Sequence, residues 1–355
     1  MDFTLTQAQD DLGALARKIL TDHTVQRPRE GTGFDPALWA DLATTGVLSA
    51  ALPESVGGVG LGLLEQCTVL AEIGRAVAAA PYLASIVLGA SAIASFGTAE
   101  QQEQWAEPAA RGDVVLTAAL AEQEHTVAEQ TADGWLLAGA KTTVDAGAFA
   151  DLMLVPAATA AGPVVLLVAA SDPGVRVTPQ QVTGGDGSAL LELDAVALPA
   201  ARLLGEGPGI VQWLEDRATI GLCALQLGVT ERALELTAAY AQNRQQFGKP
   251  IGSFQAVAQR LDDGYIDVEG LRLTLWQAAW RLDNDLPSQT ELATAKFWAA
   301  EAGHRVAHSA VHIHGGVGID MEGEVHRYFV AAKHNEFALG GATAQLLRIS
   351  SSLAQ

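Results

Sequence analysis

The chain of 355 residues is nearly half apolar and carries a formal net charge of −20, from 41 acidic against 21 basic residues. That length holds two or three domains with sizeable cores, and that apolar content excludes a disordered chain. The acidic excess argues against a nucleic-acid partner, which needs a basic face, and the plainest reason for the charge is solubility.

No run of about 18 apolar residues appears, so no membrane span or membrane partner is expected. The start, Met1-Asp2-Phe3-Thr4, lacks the basic and apolar regions of a signal peptide, and a cytoplasmic location is expected. Cys67 and Cys223 stand in apolar helical patterns, as buried thiols do; neither a disulfide framework nor a metal site is indicated.

Residues 1–112 read as helices. Thr6 and Gln9 have capping-box spacing ahead of Leu12, Leu15 and Ile19. Asp35-Pro36 supplies an N-cap and a first-turn proline, and Gly46 a stop. The loop Leu52-Pro53-Glu54-Ser55-Val56-Gly57-Gly58 then leads to a helix from about Leu64.

Residues 113–205 change character. Val114 to Leu120, Trp135 to Ala138, Leu152 to Val155, Val164 to Val168, Val175 to Thr178 and Ser188 to Leu193 are short β-prone runs. Gly, Asp and Pro clusters separate them, which predicts an antiparallel sheet or barrel; Ala121 to His125 reads as a loop between two strands. Residues 206–355 are helical again: Val211 to Gln242, Gln255 to Asp283, a third helix capped by Ser288 and Glu291 that runs to about His314, and a fourth to the C-terminus. Four long antiparallel helices predict a bundle.

Two stretches carry chemistry. Asn243-Arg244-Gln245-Gln246-Phe247-Gly248-Lys249-Pro250-Ile251-Gly252-Ser253-Phe254-Gln255 closes the first long helix. There Arg244 can bind a pyrophosphate with two hydrogen bonds, Phe247 can cover an aromatic face, and Gln246 and Gln255 can bond ribityl or adenosine oxygens. His312-Ile313-His314-Gly315-Gly316-Val317-Gly318 closes the third, and its glycines let backbone approach phosphate closely. Each alone is also compatible with an ordinary helix end.

Together, in this order and architecture, the two stretches are specific, and the chain resembles the acyl-CoA dehydrogenase family of flavoproteins over essentially its whole length. Leu52-Pro53-Glu54 with Gly57-Gly58 is similar to the family's N-terminal loop, and Gly139-Ala140-Lys141 to its mid-domain Gly-x-Lys. Arg244 to Lys249 and His312 to Gly316 resemble its two FAD motifs. The resemblance implies an α+β fold: an N-terminal all-α domain, a middle antiparallel β-barrel-like domain and a C-terminal four-helix bundle. It implies FAD as cofactor, an acyl-CoA as substrate, and Arg244, Gln246, Phe247, Gln255, His312, Gly315 and Gly316 as FAD-binding residues. The family reaction takes a proton from Cα with a glutamate while the flavin accepts the β hydride.

The chain departs from the family where that glutamate belongs. Counting from Gly315-Gly316 through Lys333 puts Leu339 at the usual position, and the second known position, on the long helix, is Ala218. Neither can abstract a proton. Nearby carboxylates are Glu336, Glu215 and Asp216, and Asp216 stands where the family helps hold the CoA pantetheine arm. The family's Thr-Glu-Pro-x-x-Gly-Ser-Asp loop, which contacts the flavin ring, is replaced by Ala121-Glu122-Gln123-Glu124-His125, and the Trp and Thr that follow Gly-x-Lys are Thr143 and Asp145.

By the resemblance, the groups lost are those the family uses on a flavin held in cis, and the groups kept are those it uses on a flavin held mainly by a neighbour. The resemblance is greatest to actinobacterial α2β2 dehydrogenases, several of which act on CoA thioesters of steroid side chains. It implies a subunit that completes a FAD site with a related catalytic chain. His326, Arg327, Tyr328, Phe329 and Lys333 can line a subunit interface or engage phosphate, and the interface is the expectation because their helix also needs aromatic packing. The alternative is a self-sufficient homotetramer with Asp216 or Glu336 as base, and a third reading is a flavin-free acyl-CoA-binding or interaction protein.

Overall fold

The computed structural model describes residues 3–26, 33–184, 187–205, 207 and 209–353. In the N-terminal stretch, α1 (Gln7–Gln26) opens on the expected box: Thr6 N–H donates to Gln9 Oε1 at 2.8 Å and Gln9 N–H to Thr6 Oγ1 at 3.2 Å. Asp35 caps α2 (Pro36–Thr44), accepting from the N–H groups of Ala37 and Leu38 at 3.0 and 3.1 Å. Next come α3 (Leu63–Ala76), a π-wound Leu83–Ala90, α4 (Ser91–Phe96), α5 (Ala99–Gln101), a second π-wound segment and α6 (Glu107–Ala110).

The strands are β1 (Leu116–Ala118), β2 (Glu122–Thr131), β3 (Gly134–Val144), β4 (Leu152–Thr159), β5 (Gly162–Ala169), β6 (Val175–Pro179) and β7 (Ala189–Pro199). They form one sheet in the order β1-β4-β2-β3-β7-β6, with β5 on β4. Its pairings are antiparallel except that β1 and β2 run parallel to β4. Inward residues such as Leu137, Val155, Leu166, Val168, Leu191 and Val196 make one closed apolar core. The segment Ala121 to His125, expected as a loop, lies mostly in β2. Its polar residues face solvent, and register shifts against β3 between Glu122, Glu124 and Val127 erase the period-two signal.

The C-terminal helices are α7 (Gly209–Asn243), α8 (Gln255–Asp283), α9 (Gln289–His314), α10 (Glu324–Phe337) and α11 (Ala342–Leu353). Ser288 makes no side-chain cap at α9, and Glu291 instead pairs with Arg281 at 3.3 Å. The expected fourth long helix is two, because Leu339 and Gly340 take φ +57° and +93° and turn the chain between α10 and α11.

Contacts divide the chain into two compact units, one of Met1–Gln26, Leu63–Ala78 and Thr219–Gln355, the other of Arg27–Gly62 and Ala79–Ala218. Within the first, α3 and α7 cross at two glycines. A Cβ on Gly228 would lie 1.8 Å from Ala71 O, and one on Gly74 2.0 Å from Leu225 O. Cys67 and Cys223 are buried and form no disulfide, and burial pushes the Cys223 thiol up to about 12.

Candidate functional site

The end of α7 passes through Arg244 into a hairpin, β8 (Gln245–Gln246) against β9 (Lys249–Pro250). Ile251 N–H donates to Arg244 O at 2.8 Å and closes it. Its two central residues, Phe247 and Gly248, take φ +54° and +76°. A tight hairpin turn asks for positive φ at both, and Asn or Gly normally meets that demand; a phenylalanine there is strained. The strain aims a ring outward: Phe247 is 93 % exposed and touches Phe254 only edge-on, at 6.1 Å between centroids. The Arg244 guanidinium, also exposed, makes no hydrogen bond or ion pair among the described residues. Gln246 lies exposed on the hairpin, its Nε2 donating to Gln245 O at 2.8 Å, and Gln255 is the exposed first residue of α8.

The second motif ends α9. Buried His314 stacks on Tyr240 of α7, with centroids 4.2 Å apart and planes 24° from parallel. That stack ties the end of α9 to the turn of α7 just before Arg244, so the structure brings the two motifs together. His312 points to solvent. Gly315 has φ +65° and ψ −140°, a conformation essentially restricted to glycine. Gly318 is packed tightly, since a Cβ there would meet Val311 Cα at 2.9 Å. Gly316 differs: it has no positive φ, and a Cβ would meet nothing within 4 Å. Among the described residues nothing requires glycine at 316. Val317, Ile319 and Met321 beside it are exposed apolar residues.

The two positions where the resemblance puts a base carry aliphatic side chains. Ala218 is buried within α7, and Leu339 lies half-buried in the α10–α11 turn. Glu336 does not lie open: its carboxylate accepts from Lys333 Nζ at 2.6 Å and lies 3.2 Å from His304 Nδ1. Asp216 is half-buried and accepts from Gln212 Nε2 at 2.7 Å, while Arg217 stacks over Trp213 at 3.7 Å. Arg327 and Tyr328 turn inward: they bond the carbonyls of Ala76, Val77 and Arg75 at the end of α3. A cleft of about 430 Å³ beside them is lined by Arg17, Arg75, Arg232, Arg327, Glu72 and Glu324; Arg17, Arg75 and Arg232 pair with carboxylates there and at Glu231 and Glu235, while Arg327 is held by the backbone carbonyls.

In the sheet, Gly139-Ala140-Lys141 has a structural role. A Cβ on Gly139, at φ +137°, would lie 2.6 Å from Thr126 Cα, so β2 and β3 pass too closely for a side chain. Lys141 is 1 % exposed and donates to Glu122 Oε1 at 2.9 Å; exposed His125 has Nδ1 3.2 Å from Glu122 Oε2. Burial pushes the Glu122 carboxyl up, but the hydrogen bond and charge of Lys141 outweigh it and hold the group below its usual 4.5. Glu122 therefore stabilises the fold above that value and loses the contribution as pH falls through its lower folded-state pKa. Glu122→Gln is expected to cost about 1–2 kcal/mol at neutral pH, less than for a fully buried pair because Glu122 stays partly in water. Urea unfolding at pH 7 and again near pH 3 checks it: the gap between variant and wild type should narrow as pH falls.

Several buried polar residues escaped the sequence reading. Lys296 is fully buried on α9, yet it falls in phase with Leu292, Ala299, Gly303 and Val306, and a charge on that apolar stripe was the available signal. Gln226 on α7, Asn335 on α10 and Gln345 on α11 are likewise buried. Among the described residues no helix is long and apolar enough to cross a membrane, and no group of three or more His, Cys, Asp or Glu is placed to hold a metal.

Residues 5–113 match the family model "Acyl-CoA dehydrogenase, N-terminal domain" and residues 205–354 match "Acyl-CoA dehydrogenase, C-terminal domain". The chain belongs to the acyl-CoA dehydrogenase family. It is 51 % identical to acyl-CoA dehydrogenase FadE27 of Mycobacterium tuberculosis, over all of this chain and 99 % of that protein. A chain of the ChsE4-ChsE5 complex from the same organism superposes with a TM-score of 0.95 at 51 % identity, covering 100 % of this chain and 99 % of that one. A chain of the Tcur3481-Tcur3483 steroid ACAD G363A variant gives 0.92 at 41 % identity, with 99 % of each chain covered.

Proposed function

We propose that this chain is the base-less subunit of a heteromeric, FAD-dependent acyl-CoA dehydrogenase, and that it completes a FAD site with a related chain that carries the base. The observation that carries the reading is the outward constellation of Arg244, Phe247 and Gly316. A guanidinium with no partner and a glycine with no steric reason among the described residues, together with a strained ring held 93 % exposed, all fit a ligand that meets this surface from outside. These residues suit the pyrophosphate and adenosine half of a dinucleotide. In this assignment Arg244 and the backbone at Gly315 and Gly316 bind phosphate, Phe247 covers a ring, and Gln246, Gln255 and His312 supply polar contacts. Ala121, Thr143 and Asp145 do not fit the contacts the family makes to the flavin ring, which supports a ring held by the other chain. Bound FAD supplies the hydride acceptor for α,β-dehydrogenation.

The partner is a related acyl-CoA dehydrogenase subunit in an α2β2 assembly, in keeping with the two-component complexes to which the similar chains belong. The substrate proposed is a CoA thioester of a steroid side chain, with Asp216 contacting the CoA arm. Exposed Val317, Ile319 and Met321 give the motif an apolar margin suited to a protein partner. The functional layout is the three-part division at residues 1–112, 113–205 and 206–355, and the setting is the cytoplasm. A self-sufficient enzyme would need Glu336 or Asp216 as base, and Glu336 is closed by Lys333 and His304.

Flavin content tests the reading, by absorbance at the flavin band against protein mass, for the chain alone and co-expressed with a related dehydrogenase chain. Little flavin alone, rising to about one per two chains with the partner, is expected of a shared site. One flavin per chain without any partner would overturn it.

A further inference from the structure

Leu339 takes φ +57°, where a bulky residue is an outlier. Such strain persists when the surroundings over-determine it. Here two fully buried side chains do so. Lys296 of α9 donates from Nζ to the carbonyls of Asn335 and Glu336 at 2.9 and 3.2 Å. Gln345 of α11 donates from Nε2 to the carbonyls of Leu339 and Gly340 at 3.1 and 3.0 Å. Asn335 is itself fixed, because its Nδ2 donates to Gln226 Oε1 at 3.0 Å, and Gln226 Nε2 donates to Ala299 O and Ala332 O at 3.1 and 3.2 Å. Helices α7, α9 and α11 thus all grip the last turn of α10 and the bend beyond it.

A plain helix stop needs far less. Glycine in the left-handed position ends many helices, and Gly340-Gly341 follows at once. A cation does suit a helix C-terminus with its free carbonyls, but burying an ammonium is costly when a water-exposed one would serve. The arrangement holds residue 339 in place more firmly than ending a helix demands.

We propose that the α10–α11 turn is a frame that presents the side chain of residue 339 at a fixed point, with Lys296 and Gln345 as its positioning residues. In this chain the frame is kept and the side chain it presents is aliphatic. What that side chain meets rests on the function proposed above, in which the partner and not this chain supplies the base. The frame also makes Leu339 exchangeable: a glutamate there takes over the left-handed backbone without moving the turn.

Amide hydrogen exchange at Ala338 and Gly340 reports on the turn, since these N–H groups donate to His334 O and Phe337 O at 3.1 Å each. It is measured on the chain in whatever assembly it purifies. Lys296→Met and Gln345→Leu should each speed exchange at both amides by about tenfold or more, and Lys296→Arg, which keeps the donors, should restore it to within about threefold. Leu339→Glu should leave both amides as protected as in the wild type, and its crystal structure should keep residue 339 at positive φ. Unchanged exchange in Gln345→Leu, or faster exchange or negative φ in Leu339→Glu, would overturn the frame. Should Lys296→Met fail to fold, the Gln345 and Leu339 variants decide. None of these readouts involves flavin, so a failure here leaves the shared-site reading standing, and a flavin-free chain leaves the frame standing.

Discussion

Replacing Gly228 by valine should cost at least about 3 kcal/mol of folding stability, and the variant should be recovered mostly insoluble or with a much lower unfolding midpoint. The reason is steric and specific. A Cβ at 228 would lie 1.8 Å from the carbonyl oxygen of Ala71, so α3 and α7 must separate by more than an ångström to admit it. Separation would also strip contact from Gly74, where a Cβ would lie 2.0 Å from Leu225 O. Removing a glycine from a helix interior ordinarily gains up to about 1 kcal/mol, and valine recovers only part of that, so the overlap dominates. Gly316→Ala is the control, because its Cβ would enter open space. Chemical unfolding of both variants checks the contrast; a Gly228→Val chain as stable as the wild type would show that the helices can slide apart freely.

That crossing also marks the limit of what could be read from the chain alone. Periodicity revealed α8, expected from Gln255 to Asp283 and found as Gln255–Asp283, because a long amphipathic stripe repeats its signal at every turn. Local capping chemistry was equally legible at Thr6 and Asp35, where donor and acceptor lie within a few residues. It misled at Ser288, because Glu291 had a tertiary partner in Arg281 that spacing does not reveal. Strand β2 hid because its bulges break the alternation and most of its side chains are polar. Gly74 and Gly228 look like ordinary helix-weakening residues until another helix's backbone is placed against them.

The candidate site divides in the same way. Arg244, Phe247 and the glycines declare themselves as residue types at a helix end. The left-handed backbone of Phe247, the Tyr240–His314 stack and the open space around Gly316 among the described residues depend on tertiary placement. The same holds for Glu336, which by type is a candidate base and by position is one corner of an ion cluster with Lys333 and His304. Composition names the groups available for chemistry, and packing decides which of them are already spent.

Arg244→Ala is expected to weaken flavin binding in the assembled protein by roughly 10- to 100-fold, while leaving the unfolding midpoint of the chain unchanged. The size follows from removing charge-assisted hydrogen bonds to a pyrophosphate, which are stronger than neutral ones. The stability half of the prediction follows from the structure: the Arg244 guanidinium has no hydrogen bond or ion pair among the described residues, and the hairpin is closed by backbone at Arg244 O and Ile251 N. An arginine that served the fold would behave in the opposite way, with lost stability and unaltered flavin. Gly316→Ala should follow Arg244→Ala, with weaker flavin binding and unchanged unfolding, because its Cβ would intrude only on what approaches from outside the chain. Flavin retained after gel filtration, measured beside a denaturant titration of the flavin-free chain, where no bound ligand adds to stability, separates the cases. Full flavin retention by both variants would remove the physical basis for assigning this surface to FAD, and would turn attention to a protein partner alone as the reason for an exposed phenylalanine at Phe247.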